Sequence, residues 1–413
     1  MKKLLIIGYN WPEPATTAAG VRMMQLLRCF REAGYQQTFA STAAASSYTA
    51  DLEAEGIQTR TIRINDSSFD AFVKELQPDV VLFDRFHTEE QFGWRVEANA
   101  PDALRVLDTE DLHSLRNARK EALMKDRDFS LDSWLQQELT YMELASIWRS
   151  DLSLVISSYE YALLKDQVKI DPSLLVLVPF MTGVGNTIST DFNKRKDFIC
   201  IGNGKHHPNT DSVQYLYKHI WPGLKKLIPD ACIRVYGAYL PKAIQQLHQP
   251  AKGFLVEGWV EDAKTAMGNA RVQLAPLQYG AGIKGKLLLS MQVGTPSVTT
   301  SIGAEGMHNG LPWNGFIADE PKDFIQSAAD LYTDETLWKN SVEAGKTILG
   351  EKYNRDLWEP HLISTLSEIH RSLKAHRAKN LFGSILRHHS MAATKYMSKW
   401  IEAKNKNQAG KQE

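Results

Sequence analysis

Between Ala275 and Met307 the chain reads APLQYGAGIKGKLLLSMQVGTPSVTTSIGAEGM, a set of residue types suited to holding an anion. An apolar run ending at Leu277 reads as a strand, and Gly280, Gly282 and Gly285 make a pliable loop after it. Beyond Lys286 the run Leu287, Leu288, Leu289 and Met291 reads as a helix, stopped by Gly294 and Pro296. Glycines let a backbone approach a ligand closely, and a helix N-terminus presents unpaired N–H groups to a negative charge. Lys284 and Lys286 add cations at the same place, so the chemistry implied is phosphate binding. Gly280 to Gly285 also match G-x-G-x-x-G, with Glu305 about 20 residues beyond, as a nicotinamide-dependent oxidoreductase would carry. Three features oppose that rival. Pro276 to Tyr279 separate the strand from the glycines, the loop holds two lysines, and the first strand of the chain has no such fingerprint. The bland alternative is that the glycines only pack a helix on a sheet.

Other segments carry chemistry of their own. Asn10 to Gly20 is a loop of prolines and small residues ahead of a helix opening near Val21-Arg22, a second anion or substrate site by the same reasoning. Asp108-Thr109-Glu110-Asp111-Leu112-His113 follows a strand and sets three carboxylates and an imidazole where acid–base chemistry or a metal is conceivable. Its plain alternative is a helix cap with surface charge. The run lacks Asp-x-Asp, so no metal is expected. Arg85, Glu89 and Glu90 hold the equivalent position after another strand. In Gly202-Asn203-Gly204-Lys205-His206-His207-Pro208-Asn209, the lysine and histidines are suited to phosphate or sugar hydroxyls. Adjacent His206 and His207 do not make a metal site without further ligands.

The elements that must position these residues follow from periodicity. Apolar runs at Leu4–Gly8, Thr38–Ser41, Thr59–Ile64, Val80–Asp84, Arg105–Asp108, Leu152–Ser157 and Leu175–Val178 alternate with amphipathic stretches such as Val21–Ala33, Phe69–Leu76 and Leu135–Trp148. Thr182–Lys196 reads as a linker. A second series follows: Phe198–Gly202, a helix from Asn209 to Leu227, Ile233–Gly237, Phe254–Glu257, Val272–Leu277 and Val298–Thr300. Strands separated by helices give parallel sheets, and 413 residues suffice for two such domains. Ligands bind beyond the carboxyl ends of such strands, hence in the loops after Gly8, Asp84, Asp108, Gly202 and Leu277. The 48 basic and 48 acidic residues balance, which argues against nucleic acid as a partner of the whole molecule. Cys29, Cys200 and Cys232 are scattered, against a disulfide framework or a zinc ribbon. Leu4–Ile7 is too short for the apolar core of a signal peptide, and no run has the length of a membrane span, so the expected location is the cytoplasm.

Taken in order, Tyr9-Asn10-Trp11-Pro12, Asp108 to Arg119 (DTEDLHSLRNAR), Phe198 to Asn209, Ile220-Trp221-Pro222, Gly258-Trp259-Val260 and Leu277 to Met307 resemble a retaining GT-B glycosyltransferase of family 4, also called glycosyltransferase group 1. The closest pattern is its Gly-Ala-Gly-Ile-Lys-Gly-Lys subgroup. The resemblance implies an α/β fold, with two Rossmann-like parallel-sheet domains facing across a cleft. The implied parts are an acceptor domain (1–180), a linker (181–197), a donor-binding domain (198–350), a helix returning to the first domain (351–371) and a basic tail (372–413). It implies a nucleotide-sugar donor, a glycan or glycolipid acceptor, no resident cofactor and no metal. It also implies a place in cell-surface polysaccharide or glycolipid synthesis.

Residue by residue, the resemblance puts His113 beside the transferred sugar, with Asp111 orienting its ring. It puts Gly20, Lys284 and Lys286 by the donor phosphates; the reading of strand ends and residue types adds Arg22, Asn203, Lys205, Gly280, Gly282 and Glu305 to the donor side, and Arg85 and Glu90 to the acceptor side. The sequence departs from the pattern in having Ala281 and Leu289 where many members carry two glutamates. Asn203 and Asn209 likewise stand where Arg and Lys are common. With Leu289 unable to accept a ribose hydrogen bond, Glu305 is the expected substitute. A GT-B subunit that binds sugar nucleotide or a partner without catalysis is the alternative. In the tail, ten Lys/Arg from Arg371 onward face only Glu402 and Glu413, and Phe382, Ile385, Leu386, Ala393, Met397, Trp400 and Ile401 recur at near-helical spacing. That pattern suits contact with an anionic membrane surface on its cytoplasmic face, and equally a helix docked on the protein or a frayed end.

Overall fold

The computed structural model describes residues 2–183 and 191–409; within the expected linker, residues 184–190 lie outside the described residues, as do tail residues 410–413. Two parallel sheets organise the chain. The first contains β1 (Lys3–Gly8), β2 (Gln36–Ser41), β3 (Gln58–Thr61), β4 (Val80–Asp84), β5 (Leu104–Asp108), β6 (Leu152–Val155) and β7 (Leu175–Leu177), in the order β3-β2-β1-β4-β5-β6-β7. The second contains β8 (Lys196–Ile201), β9 (Ile233–Tyr236), β10 (Phe254–Gly258), β11 (Ala270–Ala275), β12 (Ser297–Thr299) and β13 (Gly315–Ile317), ordered β10-β9-β8-β11-β12-β13. Each sheet reverses its strand order beside its first strand, which opens a crevice at the carboxyl ends of β1 and β4 and of β8 and β11.

Every residue of β4 and β5 is buried, as parallel strands covered by helices on both faces require. Leu5, Ile7, Val81, Phe83 and Leu107 face one apolar core of the first lobe, whereas Leu4, Ile6, Leu82 and Val106 face another. The second lobe is built around Phe198, Val235, Val272, Leu274 and Val298. The stretch expected as one helix over Asn209–Leu227 is interrupted. It runs as α-helix His207–Tyr215, a π turn Leu216–Ile220, and α-helix Trp221–Leu227. Pro222 brings no N–H to the ladder, and the widened turn sits just before it.

The chain then returns to the first lobe. Helix Arg355–Arg371 buries Leu362 and Leu366 in a core of the first lobe, where Leu373 joins them. Helix Leu381–Ala409 lies along helices Glu138–Arg149 and Phe86–Asn99.

Candidate active site

The carboxyl ends of the two sheets face each other, and two helix N-termini meet between them. In the first lobe Thr17 caps helix Ala18–Glu32 by accepting the Gly20 N–H at 2.9 Å. Gly20 has no room for a side chain: a Cβ there would lie 2.4 Å from the Glu13 carbonyl carbon. In the second lobe, the loop after β11 ends at Gly285, the first residue of helix Gly285–Gln292. A Cβ on Gly285 would lie 2.7 Å from the Ala18 Cβ, so the two helices start against one another across the cleft. Each start carries the positive end of a helix dipole.

The glycine loop is seated on the first lobe by specific contacts. Gly282 takes a φ of +65°, which favours glycine, and a Cβ there would meet the Asp111 Cβ at 2.7 Å. Its N–H donates to Glu160 Oε1 at 2.8 Å, and the same oxygen accepts the Leu112 N–H at 3.2 Å. Burial and the nearby Asp111 push the Glu160 carboxyl up to about 8. Arg119 closes the joint from below. Its guanidinium pairs with both Glu305 oxygens at 2.8 and 2.7 Å and donates to the Gly280 carbonyl at 2.8 Å.

Cations and imidazoles surround the meeting point. Lys286 Nζ donates to Asn209 Oδ1 at 2.7 Å. Asn203 Nδ2 reaches across to the Thr16 carbonyl at 3.3 Å, and Lys205 Nζ sits 3.6 Å above the Tyr239 ring. A cavity of about 270 Å³ opens between the lobes, bounded by His113, Arg116 and Lys120 on one side and by Lys205, His206 and Tyr279 on the other. Desolvation within the cleft, with Arg116 adding to it, brings the His206 imidazole down to about 4, so it is neutral near pH 7. The wall is thus rich in hydrogen-bond donors and carries the positive charge of Arg116, Lys120 and Lys205.

His113 opens helix His113–Met124. Its N–H and that of Ser114 donate to Glu143 at 2.9 and 3.0 Å, which fixes the turn. The ring Nε2 lies 3.3 Å from Asp111 Oδ1, and Arg116 pairs with the other oxygen of Asp111. Burial opposes ionisation of Asp111, but Arg116 and His113 together hold its carboxyl well below the usual range. Beneath them is a floor of buried charge. Asp84 accepts the Tyr9 N–H at 2.9 Å, and the Arg85 guanidinium lies 5.3 Å from the Tyr9 ring centre. Arg85 and Glu110, after adjacent strands, both take positive φ values (+69° and +60°) that side-chain-bearing residues rarely adopt. Burial and neighbouring Asp108 raise Glu110 to about 8.

The sequence-predicted residues therefore divide. His113, Asp111, Gly20, Asn203, Lys205, Gly280, Gly282 and Lys286 come together at the junction of the lobes, with Arg85 in its floor. Arg22 stands elsewhere: 1% exposed, it pairs with Asp108 at 2.7 Å and donates to the Val178 carbonyl, a support under the first lobe. The Glu90 carboxylate is taken by Arg149 at 2.9 Å. Lys284 turns inward, donating to the Gly282 carbonyl at 2.8 Å, and burial, joined by Arg119 and opposed by Glu305, brings its ammonium down to about 8. Leu289 packs against the cluster of Ile199, Met267, Ala270 and Val293, and Glu305 pairs with Arg119 at the wall of a second cavity beside Ser158, Tyr159 and Ser301. Sequence reasoning missed Glu160, Arg116, Arg119 and Glu143. Glu160 follows β6, a strand end that the crevice rule covers as well as it covers Asp108. Among the described residues, no group of three or more His, Cys, Asp or Glu side chains is placed to hold a metal.

Comparison with known proteins gives the class. The chain is similar to S. aureus TarM in complex with Fondaparinux, α-GlcNAc-glycerol and UDP, at 9% identity and a TM-score of 0.69 over 89% of this chain and 100% of that one. It is similar to sucrose-phosphate synthase from Thermosynechococcus elongatus at 13% identity and a TM-score of 0.67, over 91% and 100%. Anabaena HepE in complex with UDP-glucose aligns at 12% identity and a TM-score of 0.65, over 89% and 100%. The fold is GT-B, the two-lobed architecture of these glycosyltransferases. Residues 195–334, the body of the second lobe, match the family model Glycosyl transferases group 1. No curated protein sequence matches the chain.

Proposed function

We propose that the protein transfers a sugar from a nucleotide-sugar donor to a glycan or lipid-linked acceptor, with retention of configuration, as an enzyme of family 4. One observation carries this reading most directly. Two helix N-termini from opposite lobes meet at Gly285 and Ala18, Lys286 follows Gly285 on the second of these helices, and Arg116 and Lys205 line the cavity between the lobes. A leaving diphosphate gathers negative charge as the glycosidic bond breaks, and dipoles and cations fixed in advance stabilise that charge at little reorganisation cost. The match of residues 195–334 to group 1 glycosyltransferases supports the same assignment of the second lobe. UDP and UDP-glucose in complexes of HepE support the donor class.

In this reading Lys286 and the start of helix Gly285–Gln292 hold the diphosphate, and Gly280 and Gly282 shape the loop that leads into it. Asn203, Lys205 and neutral His206 donate to phosphate or sugar. His113, oriented by Asp111, hydrogen-bonds the transferred sugar, while Arg85 and the first-lobe floor face the acceptor. Lys284 and Glu305 act indirectly, fixing the loop and the lobe junction. No metal enters the scheme. The setting is the synthesis of a surface polysaccharide or glycolipid, in the cytoplasm.

A second reading has one observation in its favour. Leu289 packs among apolar neighbours where a ribose-gripping acid is common, and Glu305 is tied to Arg119. A sugar-nucleotide-binding subunit without turnover would have both features. A panel of sugar nucleotides separates the two: release of nucleoside diphosphate in the presence of acceptor, with the product anomer read by NMR, is the expected result. Binding without release from any donor would favour the second reading.

A further inference from the structure

In helix Leu381–Ala409 the side docked on the first lobe is mixed, with Gly383, Arg387, Ser398 and Glu402 beside the partly buried Leu386 and Ile401, while large aromatic side chains are left on the side facing away. Gly383 seats the helix so closely that a Cβ there would lie 2.1 Å from the Trp148 carbonyl oxygen. Arg387 donates to the Arg149 carbonyl at 3.2 Å and lies 3.6 Å from Glu97. Ser398 and Glu402 meet the buried Arg95 guanidinium at 3.1 and 3.6 Å. Just upstream, Arg377 pairs with Asp151 at 2.7 Å and Asn380 donates to the Trp148 carbonyl at 2.7 Å.

On the other side Phe382, Ile385, Tyr396 and Trp400 share one sector of the helix, at 71%, 48%, 69% and 60% exposure. Tyr141, 57% exposed on the neighbouring helix Glu138–Arg149, and the Trp148 ring beside Phe382 extend the apolar area onto the body of the lobe. A soluble amphipathic helix buries its large apolar side chains, because that burial is what stabilises it. Here polar bonds help to hold the helix, and the aromatic face is left available.

We infer that this face binds the surface of an anionic lipid bilayer. The charge pattern selects that partner. Lys395, Lys399 and Lys404 flank the aromatic residues, and Glu402, the one acidic residue among the described residues of the helix, is turned inward to Arg95. Aromatic and aliphatic side chains that enter the headgroup boundary, with lysines beside them to meet lipid phosphates, are the composition of a helix lying in a membrane interface. No helix among the described residues is long and apolar enough to cross a membrane. The contact is therefore peripheral, and it brings the first lobe to the lipid surface. It stands whether or not the transfer reaction proposed above is correct.

Co-sedimentation of the full chain with vesicles tests it, using phosphatidylglycerol–phosphatidylcholine mixtures against phosphatidylcholine alone. Binding to the anionic vesicles is expected, falling with added salt. The triple variant Phe382→Ser, Ile385→Ser, Trp400→Ser and the double variant Lys395→Glu, Lys399→Glu should each bind roughly tenfold or more weakly. Their thermal melts should match the parent, since these side chains face outward. Equal sedimentation of parent and variants, or none by the parent, would overturn the inference. So would a concentration-dependent dimer that the triple variant abolishes, which would assign the face to a second copy.

Discussion

The two lobes present unlike chemistry to the same cleft. The first lobe brings carboxylates and an imidazole on short, heavily braced turns: Asp84, Asp108, Glu110, Asp111 and His113, supported by Glu143, Arg22 and Arg85. The second brings backbone N–H groups on a glycine loop, lysines, and a histidine kept neutral by desolvation in the cleft and the nearby Arg116. The first surface is fixed by buried ion pairs, which are costly to break singly and so keep one geometry. The second is a glycine loop braced by contact with the first, through Gly282 on Glu160 and Glu305 on Arg119. In the proposed reaction this difference becomes a division of labour: the braced lobe orients the reacting groups, and the glycine loop of the second grips phosphate.

Removing His113 is the largest way to break that division. His113→Ala leaves the second lobe's grip intact, so turnover should fall by roughly 10²-fold while donor affinity changes little, the mark of an interaction stronger in the transition state. Steady-state kinetics together with a donor titration check it. Equal losses in both would place His113 in plain donor binding, and unchanged turnover would remove it from the site.

A smaller effect sharpens the comparison through pH. In the folded protein Glu160 titrates near 8, against 4.5 for the ordinary group, so between those values it stays protonated while the unfolded chain is ionised. The unfolded state then binds fewer protons, and stability falls as pH rises through that window, levelling off above about 8. Glu110 acts in the same direction. Glu160→Gln keeps an acceptor for the Leu112 and Gly282 N–H groups and removes the ionisation. Its melting temperature should fall less steeply than the parent's between about pH 5 and 8. Parallel slopes would show that Glu160 is not the titrating tie between the lobes.

Much of this was legible in the sequence, and its limits have physical causes. β1, β4 and β5 were readable because fully buried parallel strands are nearly continuous apolar runs. β13 was not, since Gly315–Ile317 is three residues long and gains its place only by pairing with β12. The glycine–lysine loop at the lobe junction was recognisable as a candidate anion site from its spacing, and the place of His113 in the cleft from its position after a strand. Spacing could not say which of Lys284 and Lys286 turns inward. Nor could it join Arg119 to Glu305, which lie 186 positions apart. Arg22 looked like a ligand group because a basic residue opening a helix resembles an anion site; its partner Asp108 is 86 residues away and becomes visible only in the fold. The tail showed helical spacing, but only the docked structure reveals which face is turned out.

The central claim is that the meeting point of the two helix N-termini holds a nucleoside diphosphate with the help of Lys286. Calorimetric titration of a panel of nucleoside diphosphates into the parent and into folded Lys286→Ala tests it directly. At least one member should bind the parent, and the variant should bind it about tenfold more weakly, as expected for loss of one charge-assisted hydrogen bond. Unchanged affinity in the variant, or no binding of any member to the parent, would contradict the account.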